Sequence, residues 1–105
     1  MKKYANEYGH SDIHPCRVVN TISSKTLEVQ RMGSKLADDW KPDTKAGGFF
    51  GHTINNDSQR WEMKPDLEQP VFRIRWSDAK NRWLDAYGSR YILENMPKRF
   101  HDYNF

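Results

Sequence analysis

Apolar and polar residues alternate most clearly in two stretches of the chain. Residues 15–22 are rich in β-branched side chains, Ser23, Ser24 and Lys25 make a short turn, and residues 26–31 put Leu27 and Val29 on one side and Glu28 and Gln30 on the other. A period of two marks a half-buried strand, so these residues predict a hairpin. In residues 70–76, Phe72, Ile74 and Trp76 alternate with Arg73 and Arg75. Successive strand side chains point to opposite faces, which sends the first set into a core and both arginines out together. Residues 58–63 read as a further strand ending in the turn residues Lys64, Pro65 and Asp66. Residues 77–81 close a hairpin onto residues 82–87, and Gly88 and Ser89 lead to a last short strand at residues 91–93.

The remaining segments carry no such period. Residues 1–14 are polar and predict a partly ordered N-terminal arm, with Tyr4, Tyr8 and Gly9 its only signs of packing. Residues 33–57 predict a long central loop, in which residues 36–40 allow one helical turn that Pro42 stops. Residues 96–105 form a C-terminal tail, basic and then aromatic, whose rings need cover from the body or from another subunit. Five or six short antiparallel strands with one long loop predict an all-β fold, a small partly open SH3-like barrel, with a β-sandwich as the alternative. At 105 residues the chain is expected to form one domain.

Composition sharpens this picture. Hydrophobic residues make up only 36%, yet four Trp, five Tyr and five Phe supply enough apolar area to exclude a disordered chain and to predict an aromatic core. No apolar run approaches the roughly 20 residues of a membrane-spanning helix, and Met1, Lys2 and Lys3 are not followed by an apolar signal segment, so a cytoplasmic protein without membrane partners is expected. Cys16 stands alone and reads as a buried thiol rather than a nucleophile. The formal charge of +3 and pI near 9.1 favour phosphates or acidic partners.

Two constellations carry candidate chemistry. Gly47, Gly48 and Gly51 fall within five residues and let the main chain approach a bound group closely. Phe49 or Phe50 can stack beside them, and His52 and Asn55 can hydrogen-bond; the alternative is a connector whose phenylalanines plug the core. On the strands, Arg73 and Arg75, joined by Arg60 and Arg82, make a basic surface suited to bidentate hydrogen bonds with phosphate. The alternative there is a solvated face paired to Glu62, Asp78 or Asp85. Trp40, Trp61, Trp76 and Trp83 serve either as a stacking platform for bases or as core. His10, His14, His52 and His101 show no zinc-like spacing, so no metal or cofactor is expected. The chain also lacks a nucleophile elbow, a phosphate loop and a paired-carboxylate motif, and a nonenzymatic binding protein is the expectation.

The strings Tyr8-Gly9-His10-Ser11-Asp12-Ile13-His14-Pro15 and Asp102-Tyr103-Asn104-Phe105, the hairpin at residues 18–29, and residues 47–56 with Gln59 and Trp61 resemble a family of small proteins of tailed bacteriophages and their prophages. Residues 71–94 depart most from that pattern, which leaves the basic face open as a shared feature. The resemblance implies an accessory protein of the infected cytoplasm that antagonises host defence, for example by sequestering a nucleotide immune signal. The leading expectation is a homo-oligomer that captures a nucleotide-like anion between the central loop and the basic strand face. Arg60, Arg73 and Arg75 would contact phosphate, Phe49 or Trp61 would stack, His52 and Asn55 would read polar edges, and Gly47, Gly48 and Gly51 would supply main-chain contacts. The rival expectations are a single-stranded nucleic-acid binder and an inhibitor that docks on a host enzyme through Phe100, Tyr103 and Phe105.

Overall fold

The first and last strands of the fold lie side by side. In the computed structural model, which describes residues 2–47, 50–53 and 55–103 and the backbone alone at 44–47, 50–53 and 56, β1 (Tyr4–Tyr8) pairs antiparallel with β10 (Arg90–Glu94), from Tyr4↔Glu94 to Tyr8↔Arg90. Between them run β2 (Ile13–His14), β3 (Cys16–Ser23), β4 (Thr26–Leu36), β5 (Thr44–Gly47), β6 (Phe50–Thr53), a 3-10 turn at Asn56–Ser58, β7 (Trp61–Pro65), β8 (Val71–Ser77) and β9 (Arg82–Leu84). The ladder β10-β9-β8-β4-β3-β1 is closed by the β1–β10 pairing, which makes a six-stranded antiparallel barrel compatible with the small SH3-like class. β2 and β7 are added to it, on β1 and β4 respectively.

Closure corrects two expectations. The N-terminal segment is not an arm: Ala5 and Asn6 are fully buried in β1. Its polar sequence hid the strand because the residue at its centre is an asparagine whose hydrogen bonds are all satisfied inside. The Asn6 Nδ2 donates to Glu94 Oε1 (3.1 Å) and to the Met96 carbonyl (3.0 Å), and Asn6 Oδ1 accepts from the Lys98 N–H (3.0 Å). The central loop is likewise shorter than expected. β4 runs on to Leu36 and there carries β7, with Leu36↔Trp61 in register, while β5 and β6 pair as a separate two-stranded sheet with Lys45↔His52.

The closed ring leaves a narrow lumen. Its buried centre is Ala5, Cys16, Leu27, Val29, Ile74 and Tyr91, with Val18, Phe72, Trp83 and Leu93 packed around it half-buried. The core is therefore mainly aliphatic rather than aromatic, with Tyr91 the large ring at its centre and Phe72 and Trp83 packed against it part-exposed. Register shifts in the β3–β4 pair at Val18/Asn20 and Thr21/Ser23 are bulges that add the twist such tight curvature needs. The described part of the tail packs on its own barrel, with Ile13 and Phe100 exchanging main-chain hydrogen bonds of 2.9 and 3.0 Å.

Asn6→Ala is expected to destabilise the fold by about 2–3 kcal/mol, since it strips partners from a main-chain N–H, a carbonyl and a carboxylate at a buried site. Urea unfolding of the variant beside the parent checks this; an unchanged midpoint would contradict the burial of β1.

Candidate ligand-binding site

β9 is only three residues long, and this opens the barrel wall. β8 and β9 pair over Arg75↔Leu84, Trp76↔Trp83 and Ser77↔Arg82, so among the described residues no strand covers that edge along the earlier half of β8. The Trp76 N–H donates to the Lys25 carbonyl at 2.9 Å, so Trp76, Ile74 and Phe72 turn their main-chain groups toward β4. By the alternation of an antiparallel ladder, those of Val71 and Arg73 face the opening.

Across the opening stands a tight loop at residues 85–89. Asp85 organises it: Oδ1 accepts from the N–H groups of Tyr87 and Ser89, both at 2.9 Å, and Oδ2 accepts from the Tyr91 hydroxyl at 2.9 Å. Gly88 takes the positive φ of 86° that the turn requires, a conformation open to glycine at little steric cost. Tyr87 is thereby held 96% exposed.

Between β8 and this loop lies an open groove of about 950 Å³. Phe72, Trp76 and Tyr91 give it an aromatic wall, Arg73, Arg75 and Tyr87 line it as well, and Glu7 and Arg31 complete one side. Arg31 donates to Glu7 at 2.7 Å, while its Nε is buried without a hydrogen-bond partner. Arg73 meets Glu28 only at 3.5 Å, and no ion pair engages Arg75 among the described residues. Burial, and then the bond to Asp85, drive the Tyr91 phenol well above its usual range, so it stays a proton donor. The groove thus offers a flat ring at an exposed phenol and guanidinium groups with donors to spare, the combination that holds a planar anion.

Of the residues singled out in the sequence, Arg73 and Arg75 line this groove and share one outer face, as their alternation implies. Arg60 and Trp61 lie elsewhere. Arg73 is in register with Glu28 and Trp61 with Leu36, eight residues further along β4, or about 26 Å of strand. There Arg60 forms an ion pair with Asp39, and Trp61 donates to Gln59 Oε1 (2.9 Å) beneath the guanidinium of Arg99, 4.8 Å from the ring centroid. Asn55 uses its amide on the chain itself, accepting from the Asp43 N–H (2.7 Å) and donating to the Lys41 carbonyl (2.8 Å). Gly47 and Gly51 are strand residues of β5 and β6, where Ala46↔Gly51 and Gly47↔Phe50 are in register. Gly48 and Phe49 lie outside the described residues, as does the side chain of His52.

Sequence reasoning missed Tyr87, Tyr91, Phe72, Arg31 and Asp85 as groove residues. Asp85 followed two residues later by Tyr87 and then Gly88 is a turn signal, and it was available. Reading residues 82–87 as one strand concealed it.

A second polar cluster sits where the tail meets the body. His101 Nδ1 lies 3.3 Å from Asp12 Oδ2, the His101 ring meets Tyr103 edge-on at 4.7 Å, and Tyr103 packs on the buried Trp40 at 5.6 Å. The nearby Ser58 hydroxyl accepts from Trp40 Nε1 (3.1 Å) and donates to the Asn55 carbonyl (2.9 Å), which ties it into the packing. Among the described residues no three His, Cys, Asp or Glu side chains group as metal ligands would, and no helix is long and apolar enough to cross a membrane. No family model matches the chain, and no curated protein or solved structure is significantly similar to it.

Burial pushes the Cys16 thiol up to about 11. Because the thiolate is the reactive form, iodoacetamide at pH 8 is expected to leave the folded protein unlabelled and to label it fully in guanidinium chloride, as read by mass spectrometry. For Asp12, burial opposes the charge, but the Asp102 N–H, His101 and Arg99 outweigh it and hold the carboxyl below its usual range. The stability this lends the tail is complete above the ordinary aspartate range, about pH 4, and is lost as pH falls through the lower folded value. Trp40 fluorescence should therefore report loosening of the tail in acid, and Asp12→Asn should flatten that dependence.

Proposed function

We propose that this protein binds an anionic, nucleotide-like small molecule in the groove between β8 and the 85–89 loop, and that it acts by holding the ligand rather than converting it. The observation that carries this reading is a single juxtaposition. Tyr87, 96% exposed on a loop fixed by Asp85, lines the same groove as Arg73 and Arg75. A tyrosine on an ordered loop has two side-chain torsions to fix on stacking, and arginines supply paired donors to phosphate oxygens. Retention without chemistry is supported by the state of the reactive groups: the Cys16 thiol is held protonated, and Glu7, Asp85 and Tyr91 are engaged with neighbouring protein groups.

In the phage setting that the sequence resembles, such a protein removes a nucleotide signal of host defence by stoichiometric capture. None of the residues that line the groove belongs to the central glycine segment.

Calorimetry against cyclic and linear mono- and dinucleotides tests the proposal. Binding at micromolar Kd or tighter is expected, weakened about tenfold or more by Arg75→Ala, the loss of a charge-assisted hydrogen bond of about 1.5–3 kcal/mol. Tyr87→Ala should weaken it similarly. Arg60→Ala and Trp61→Ala, at the far end of β4, should leave it unchanged. A folded protein that binds none of the panel would overturn the reading.

A further inference from the structure

The arginines of the groove are part of a larger array. Arg75 on β8 and Arg90 on β10 are both in register with Leu84 of β9, so all three side chains project from one face of the sheet. Arg73 precedes Arg75 by two residues and Arg82 precedes Leu84 by two, which places them on that same face. All four arginines are exposed. At a strand spacing of about 4.8 Å and a two-residue repeat of about 6.6 Å, they form a row of separate cationic sites some 10 Å across, not a single cup.

Acidic groups do little to neutralise this row. Glu28 lies at its β4 margin, 3.5 Å from Arg73, and Glu94 on β10 is already paired with Lys98. Among the described residues no carboxylate pairs with Arg75, Arg82 or Arg90. Arg82 Nε donates to the Lys80 carbonyl at 3.3 Å, and the Arg90 guanidinium rests 5.9 Å from the centroid of the Tyr8 ring. A second hollow of about 480 Å³ opens beside the groove, where Lys2, Arg82 and Arg90 stand with Trp83 and no acidic side chain among its described lining residues. The two hollows share Trp76 and Tyr91, and Trp76 meets Trp83 edge-on with centroids 5.8 Å apart.

We infer that the ligand continues beyond the groove as single-stranded nucleic acid, with a base at Tyr87 and its following phosphates laid across Arg73, Arg75, Arg82 and Arg90. The inference rests on the groove reading above and extends it from one nucleotide to a chain of them. A row of spaced guanidinium groups matches a polymer that carries a charge at every repeat, and the exposed Tyr87, with Tyr8 against Arg90 at the other side, offers rings to bases, which every sequence presents. An acidic peptide would satisfy the charges and leave the exposed phenol unused.

The test is fluorescence anisotropy with labelled single-stranded oligo-dT of two, six and twelve nucleotides, beside calorimetry with the mononucleotide and a competition arm with poly-glutamate. Affinity is expected to rise at least tenfold from mononucleotide to six-mer, with a log–log salt slope of about −3 for four contacted phosphates. The double variant Arg82→Ser, Arg90→Ser should lose that gain while its mononucleotide affinity stays within about twofold. Melting followed by circular dichroism confirms its fold. Length-independent binding, or a double variant that binds the six-mer like the parent, overturns the array and leaves the groove reading standing. Six-mer binding that depends on Arg82 and Arg90 without any mononucleotide binding retains the array and overturns the groove. Poly-glutamate competing as well as the six-mer at equal charge assigns the face to acidic protein and overturns the inference.

Discussion

The pairing of β1 with β10 is the interaction on which the rest of the molecule depends. It joins residues as far apart as Tyr4 and Glu94, 90 positions along the chain, and without it the six strands would form an open sheet with two bare edges. Closing so few strands makes a narrow lumen, which is filled by Ala5, Cys16, Val29 and Ile74. Tyr91 is buried at its centre, while other large rings remain part-exposed at the wall. Phe72, Trp76 and Trp83 are half-buried, and the groove takes in Phe72 and Trp76.

The same closure explains why the groove is polar as well as aromatic. With β9 spanning three residues, among the described residues no strand covers that edge of β8 near Val71 and Arg73, and such main-chain groups must meet water or a partner. Arginines flanking an open edge also discourage another chain from pairing with it, since charge at an edge opposes strand addition. Arg73 and Arg75 therefore serve two ends. They oppose strand addition at the seam, and they line the groove to which we assign the anion.

Much of the barrel was legible because its strands obey a period of two. The β3–β4 hairpin and β8 stand out by the alternation of Leu27, Val29, Phe72 and Ile74 against polar neighbours. β1 was hidden because its partner lies at the other end of the chain and because Asn6, polar and buried, breaks the pattern. β4 beyond Arg31 was hidden for a related reason: Ser34 and Lys35 pair with Met63 and Glu62 of β7 on an exposed edge that needs no apolar face. For the site, the outward direction of Arg73 and Arg75 followed from local alternation. Their distance from Arg60 and Trp61 did not, since it is set by where β7 and β8 attach along β4, and nothing local records that.

The joining of β1 to β10 also sets a schedule for synthesis. At about 5–20 residues per second, some 4–18 s pass between the emergence of Asn6 and that of Glu94, which receives its hydrogen bond. Throughout that interval Ala5 and Cys16 have no completed lumen to enter, and the early strands are exposed to any edge nearby. Folding of this chain on the ribosome must wait for its last strand, so whatever shields the nascent N-terminal half governs how much barrel a cell obtains.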